Sequence, residues 1–170
     1  MINSSSVLPI IVLYNPDFNL LNKLFFSLVG QTSDVCIIDN TPINIKDDVL
    51  SLLNDKAISY KYIALLENQG IAKAQNIGIE YAFKHGYKHV LLLDQDSSLP
   101  KNMIYDLCMA ESKLLDRDIK VAAVGPAFRD VKTGRLAPAI QQDTLVSIHR
   151  NSIDTGKMRR SSLDPTFLLA

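Results

Sequence analysis

Two kinds of hydrophobic pattern take turns along the chain. Short apolar runs occupy residues 7–14 (VLPIIVLY), 35–38 (VCII), 59–65 (SYKYIAL), 89–93 (HVLLL) and 121–124 (VAAV). Runs without regular polar alternation suit strands buried on both faces. Between them, apolar positions recur at helical spacing. Residues 17–29 carry Phe18, Leu21, Leu24, Phe25 and Leu28, and similar patterns mark 45–53, 71–85 and 100–115. Pro16 and Pro100 suit helix beginnings, and Gly30 and Gly86 suit helix exits. Strands alternating with helices predict an α/β fold with a mostly parallel, Rossmann-like sheet and helices on both faces. Ligands of such sheets bind beyond the carboxyl ends of the strands. Those ends hold Tyr14-Asn15, Asp39-Asn40, Asn68 and Asp94-Gln95-Asp96.

After residue 126 the pattern changes. Residues 130–135 (DVKTGR) read as a turn between short extended pieces, and Lys157, Arg159 and Arg160 precede a serine pair. An apolar run then begins at Phe167 and is cut at Ala170. The expected organisation is a binding domain over 1–126, followed over 127–170 by the start of a further, incomplete part of a longer chain.

Composition narrows the function classes. The 170 residues are 47% hydrophobic and 21% charged, and Lys+Arg 18 against Asp+Glu 18 leaves no net charge. This balance gives no overall attraction to nucleic acid or anionic lipid. Cys36 and Cys108 have neither a CxxC partner nor a neighbouring histidine, so they read as buried thiols of a reducing compartment. The amino terminus is polar, and the first apolar run is too short to span a bilayer. A cytoplasmic protein with no transmembrane segment is expected. His85, His89 and His149 show no ligand spacing, and the chain has no GxSxG, P-loop or GxGxxG motif.

The strongest chemical signal is Leu91-Leu92-Leu93-Asp94-Gln95-Asp96. Two carboxylates at a strand end supply hard oxygen ligands of the kind that Mg²⁺ or Mn²⁺ takes together with substrate phosphates. A turn or helix cap ahead of Pro100 would use the same residues. Asp39 could accept the imide N–H of a uracil or thymine, or could close an Asx-turn through Thr41-Pro42. Asn68 and Gly70 open a helix whose free N–H groups and dipole suit phosphate, as well as an ordinary capped helix would. Lys73 could face a diphosphate, although a solvated surface lysine is the simpler reading. Tyr14 could lie against a base or in the core.

The ordered series Tyr14-Asn15-Pro16, Ile38-Asp39-Asn40, Asn68-Gln69-Gly70-Ile71-Ala72-Lys73-Ala74-Gln75-Asn76-Ile77-Gly78 and Leu93-Asp94-Gln95-Asp96 resembles glycosyltransferase family 2, in particular its bacterial rhamnosyltransferase branch. The likeness covers residues 7–128. It implies a GT-A fold, a nucleotide-diphosphate-sugar donor (dTDP-rhamnose or a UDP-sugar), Mg²⁺ or Mn²⁺, and a glycan or lipid-linked acceptor. It also implies a role in cell-surface polysaccharide synthesis at the inner face of the membrane. Carried over, Tyr14 and Asp39 would contact the base, and Asn68, Gly70 and Lys73 would lie near the nucleotide. Asp94 would approach ribose or metal, and Asp96 would bind metal. The family's catalytic base lies further along, and neither Asp154 nor Asp164 matches its context. The chain is therefore expected to carry the donor and metal half and to be inactive alone. Two other readings compete: a haloacid-dehalogenase-like phosphatase with Asp94 as nucleophile, and a non-catalytic nucleotide-binding module. The phosphatase motif normally opens its domain, whereas here three strand patterns precede it.

Overall fold

The computed structural model describes residues 6–126 and 166–169. Its strands are β1 (Val7–Leu13), β2 (Asp34–Asp39), β3 (Ser59–Ala64), β4 (His89–Asp94), β5 (Ala123–Val124) and β6 (Thr166–Leu169). The helices are α1 (Phe18–Leu28), α2 (Lys46–Ser51), α3 (Ile71–Lys84) and α4 (Met103–Leu115). The strands form one sheet in the order β3-β2-β1-β4-β6-β5. Every pairing in it is parallel. The expected α/β architecture with a parallel sheet is thus the observed one. β6, from the segment expected to begin a second part, pairs within this same sheet between β4 and β5. The turn expected at 130–135, the basic cluster at 157–160, and His149, Asp154 and Asp164 lie outside the described residues.

Strand alternation divides the core in two, because successive side chains point to opposite faces. One face gathers Val7, Ile11, Leu13, Val35, Ile37, Leu91 and Leu93 against Leu21, Leu24, Phe25 and Leu28 of α1 and Ile104, Leu107 and Cys108 of α4. Each fully buried side chain of this size stabilises the fold by about 1.5–3 kcal/mol. The other face gathers Leu8, Ile10, Cys36, Ile38 and Val90 against Ala74 and Ala82 of α3. Small residues let α3 approach closely. A Cβ built on Gly78 would lie 2.6 Å from Ile10 Cγ2.

Local chemistry accounts for most element boundaries. Asp17 caps α1 by accepting from the amides of Asn19 (2.8 Å) and Leu20 (3.2 Å). Gly30 follows that helix with φ 77°. Pro9, which has no N–H to give, sits one residue before the pairing of β1 with β2 begins at Ile10↔Cys36.

Some expectations differ from what is observed. The helix expected from Pro100 starts at Met103, because Asn102 adopts a left-handed φ of 66° that no helix accommodates. The strand expected at 121–124 is paired only over Ala123–Val124. β3 lies at the sheet edge and is largely exposed, Tyr60 by 47%, rather than buried on both faces.

The thiols of Cys36 and Cys108 are buried, as their sequence context predicts. Burial pushes the Cys36 thiol up from 9.0 to about 12, against a small opposing pull from Lys61. At the amino end of β4, His89 Nε2 pairs with Glu111 Oε2 of α4 at 2.7 Å.

Candidate functional site

The sheet order reverses between β1 and β4: β2 and β3 extend to one side of β1, and β4 begins the other. Such a switch point leaves a crevice at the carboxyl ends of the strands, where α/β proteins bind ligands. Here it is a cavity of about 430 Å³ lined by Val12, Tyr14, Asn40, Asn68, Gly70, Ile71, Asp94, Gln95 and Asp96. Of the residues singled out from sequence, Tyr14, Asn68, Gly70, Asp94 and Asp96 meet there.

Strand parity decides which neighbours face the cavity. Ile10 and Val12, Cys36 and Ile38, Val90 and Leu92 point to the α3 side of the sheet. The same alternation brings Asp94, the last residue of β4, and Tyr14 and Asn40, the first residues past β1 and β2, to that side, and all three line the cavity. Asp39 follows Val35 and Ile37 onto the opposite side and is fully buried. Its Oδ1 accepts from the Thr41 amide at 2.9 Å, closing an Asx-turn, and its Oδ2 accepts from the Tyr62 hydroxyl at 2.5 Å. Asp39, expected in the crevice, is thus not among the cavity-lining residues, and both of its carboxylate oxygens accept hydrogen bonds within the protein. Tyr62 is held in its neutral form, first by burial and then by this hydrogen bond and the Asp39 charge.

Asn40, the next residue, lines the cavity. It is 3% exposed, and its side-chain amide uses both ends. Nδ2 donates to Asn68 Oδ1 (2.9 Å), and Oδ1 accepts from the Gln69 amide (2.8 Å). Asn68 Oδ1 also accepts from the Gly70 amide (3.0 Å). This chain of bonds ties the loop after β3 to the end of β2 and fixes where α3 begins. Gly70 has φ 80°, a backbone conformation that glycine adopts without steric cost. The opening of α3 then faces the crevice with Gly70 and Ile71 in its wall. The first turn holds no acidic residue, so its positive dipole end is not neutralised locally. Lys73 is exposed on that turn and is not among the cavity-lining residues.

On the other wall, β4 ends in a turn closed by the Ser97 amide donating to the Asp94 carbonyl at 3.1 Å. Asp94 and Asp96 are both exposed on it. Among the described residues no group of three or more His, Cys, Asp or Glu could hold a metal ion. A carboxylate pair alone suits Mg²⁺ or Mn²⁺, which complete their shells with water and phosphate oxygens, and does not suit a closed structural zinc site. The residues present thus fit the expected type of metal.

Residues 10–165 match the family described as Glycosyl transferase family 2. The chain belongs to glycosyltransferase family 2. It is 36% identical over 129 residues to a dTDP-rhamnosyl transferase, RfbF, of Shigella flexneri, over 75% of this chain and 40% of that protein. The chain therefore spans well under half the length of this curated relative. Among solved structures, S. aureus TarS 1-349 resembles it in fold, with TM-score 0.50 and 20% identity over 74% of this chain and 37% of that one. The family resemblance read from the four ordered motifs and the GT-A-like fold it implied are both confirmed. This membership also displaces the phosphatase reading of Asp94.

Asn40, Gln95, Val12 and Ile71 received no role from sequence alone. Parity counting along β1 and β2 groups Val12 and Asn40 with Tyr14 only once the face covered by α3 is known. Gln95 and Ile71 stand within the strand-end motifs, but nothing in the one-dimensional pattern gives either a role of its own.

Proposed function

We propose that the described residues form the donor side of a sugar transfer, holding a nucleoside-diphosphate sugar with rhamnose on a dTDP carrier as the leading candidate. The supporting observation is the convergence of Tyr14, Asn40, the α3 opening and the Asp94/Asp96 pair on one crevice at the switch point. The name of the Shigella flexneri relative supports dTDP-rhamnose. Tyr14 and Ile71, 45% and 57% exposed, offer apolar surface to the base. Asn40, rather than Asp39, is the polar side chain beneath it. The N–H groups at the start of α3, with Asn68 and Gly70, face the diphosphate, and Lys73 reaches it from the rim. Asp94 takes the ribose or shares the metal, and Asp96 holds the metal. A bound Mg²⁺ or Mn²⁺ would neutralise charge on the leaving diphosphate.

In this reading the acceptor is a glycan or lipid-linked sugar of cell-surface polysaccharide, glycosylated at the cytoplasmic face of the membrane. The base that takes the acceptor proton is assigned to no described residue. No helix among the described residues is long and apolar enough to cross a membrane.

Calorimetry with dTDP and UDP, with and without Mn²⁺, tests the donor site. Mn²⁺-dependent binding that prefers dTDP and weakens at least about tenfold in Asp96→Ala is expected, since one unit of ten corresponds to about 1.4 kcal/mol. Binding indifferent both to metal and to Asp96→Ala would refute it.

A further inference from the structure

The residue between the two acidic residues has its own geometry. Gln95 Oε1 accepts from the Tyr14 amide at 2.8 Å, and Gln95 Nε2 donates to the Tyr14 carbonyl at 3.2 Å. The ladder between β1 and β4 ends at Val12↔Asp94. One step later the β4 backbone has left in its turn, and the Gln95 side chain takes over as partner of β1. A primary amide is the side-chain group that can satisfy both an N–H and a C=O of one residue at once.

This places Gln95 at the junction of three site residues. Its backbone joins Asp94 to Asp96, and its side chain grips the backbone of Tyr14. Exposed carboxylates on a turn at a strand end would otherwise sample several orientations, and each would have to be ordered when a ligand binds. With Gln95 tied to β1 at two points, the turn loses its freedom to rotate about the end of β4. Across the crevice, Asn40 holds the α3 opening in the same way, through both ends of its amide.

We propose that Gln95 is a positioning residue for donor binding: by clamping the Tyr14 backbone it presets Asp94 and Asp96 for the metal and diphosphate. The inference rests on the donor-site reading and extends it to a residue that need not touch the ligand. Its amide faces β1, so a carboxylate put there would keep the bond to the Tyr14 amide, oppose the Tyr14 carbonyl, and give the metal no new ligand.

The test compares wild type, Gln95→Ala, Gln95→Glu and Asp96→Ala by two measurements. The first is hydrogen exchange of the Tyr14 amide in the ligand-free chain, followed by ¹⁵N NMR. The second is calorimetry with dTDP, with and without Mn²⁺. In Gln95→Ala, Tyr14 exchange is expected to rise. The Mn²⁺-dependent affinity is expected to fall about 10–100-fold, the range for residues that orient metal ligands, while metal-free binding stays near wild type. A purely structural role would weaken both kinds of binding together. Unchanged Tyr14 exchange, affinity within about twofold of wild type, or equal losses with and without metal overturns the proposal. So does tighter Mn²⁺ binding by Gln95→Glu, which would place this side chain on the metal. If wild type itself ignores dTDP and Mn²⁺, or Asp96→Ala binds as wild type does, the donor-site reading fails and the clamp's function fails with it. That failure shows in wild type or at Asp96 rather than at Gln95, so the two are told apart.

Discussion

Gly78→Ala adds one methyl group where α3 crosses β1. The new Cβ would sit 2.6 Å from Ile10 Cγ2, 3.2 Å from Cδ1 and 3.3 Å from Cγ1. Carbon atoms in good contact lie about 3.5–4.0 Å apart, so the nearest overlap approaches one ångström. Ile10 cannot easily yield, because Leu8, Cys36, Ile38 and Val90 around it are all buried to within 1%. The helix must then lift or Ile10 must leave its rotamer, at a cost of about 1–3 kcal/mol. Alanine recovers up to about 1 kcal/mol of helix propensity. With that recovery in full, the net expectation is a loss of about 0–2 kcal/mol, or a fall in Tm of about 2–4 °C per kcal/mol for a chain of this size. Urea and thermal denaturation measure it. Since α3 also carries Gly70 and Ile71 into the crevice wall, nucleotide affinity should fall alongside. In a double-mutant cycle, Ile10→Ala removes the obstructing atoms, so the pair should cost clearly less than the sum of the single changes. A stabilising Gly78→Ala, or strict additivity with Ile10→Ala, would refute the close-packing argument.

Other expectations can be checked on the same protein. Asn40→Ala breaks the tie to Asn68 and Gln69; dTDP affinity should drop about tenfold, and Tm should fall by several degrees, since the two lost bonds are worth about 0.5–1.5 kcal/mol each. Cys36, raised from 9.0 to about 12, should not react with thiol reagents at pH 8 until urea unfolds the chain. The folded state favours the neutral thiol, so its contribution to stability is complete below pH 9.0 and is lost as pH rises towards about 12, which urea titrations across that window would register. Asp17→Ala removes the cap of α1 and should cost about 1 kcal/mol by chemical denaturation without altering nucleotide binding.

Much of this protein is legible one residue at a time. The apolar runs at β1, β2 and β4 have to be buried on both faces, and helical spacing at α1 and α3 leaves one apolar stripe for each. A mostly parallel sheet with helices on both faces follows from those constraints. The order of short motifs at strand ends carried the family, because each falls where such a sheet exposes its ligand crevice.

What the sequence left open depends on pairings between distant segments. Whether Asp39 or Asn40 enters the crevice turns on which face α3 covers, and a shift of one residue along a strand reverses the side a group faces. Local pattern makes Asp39 and Asn40 equally eligible. The register of β1 between β2 and β4, with α3 packed through Gly78 onto Ile10, gives the cavity to Asn40 and turns Asp39 towards Tyr62. The grip of Gln95 on Tyr14 spans 81 positions and exists only because β4 lies beside β1. Hydrophobic periodicity fixes how each segment folds; side-chain direction at the strand ends is set only when the segments meet.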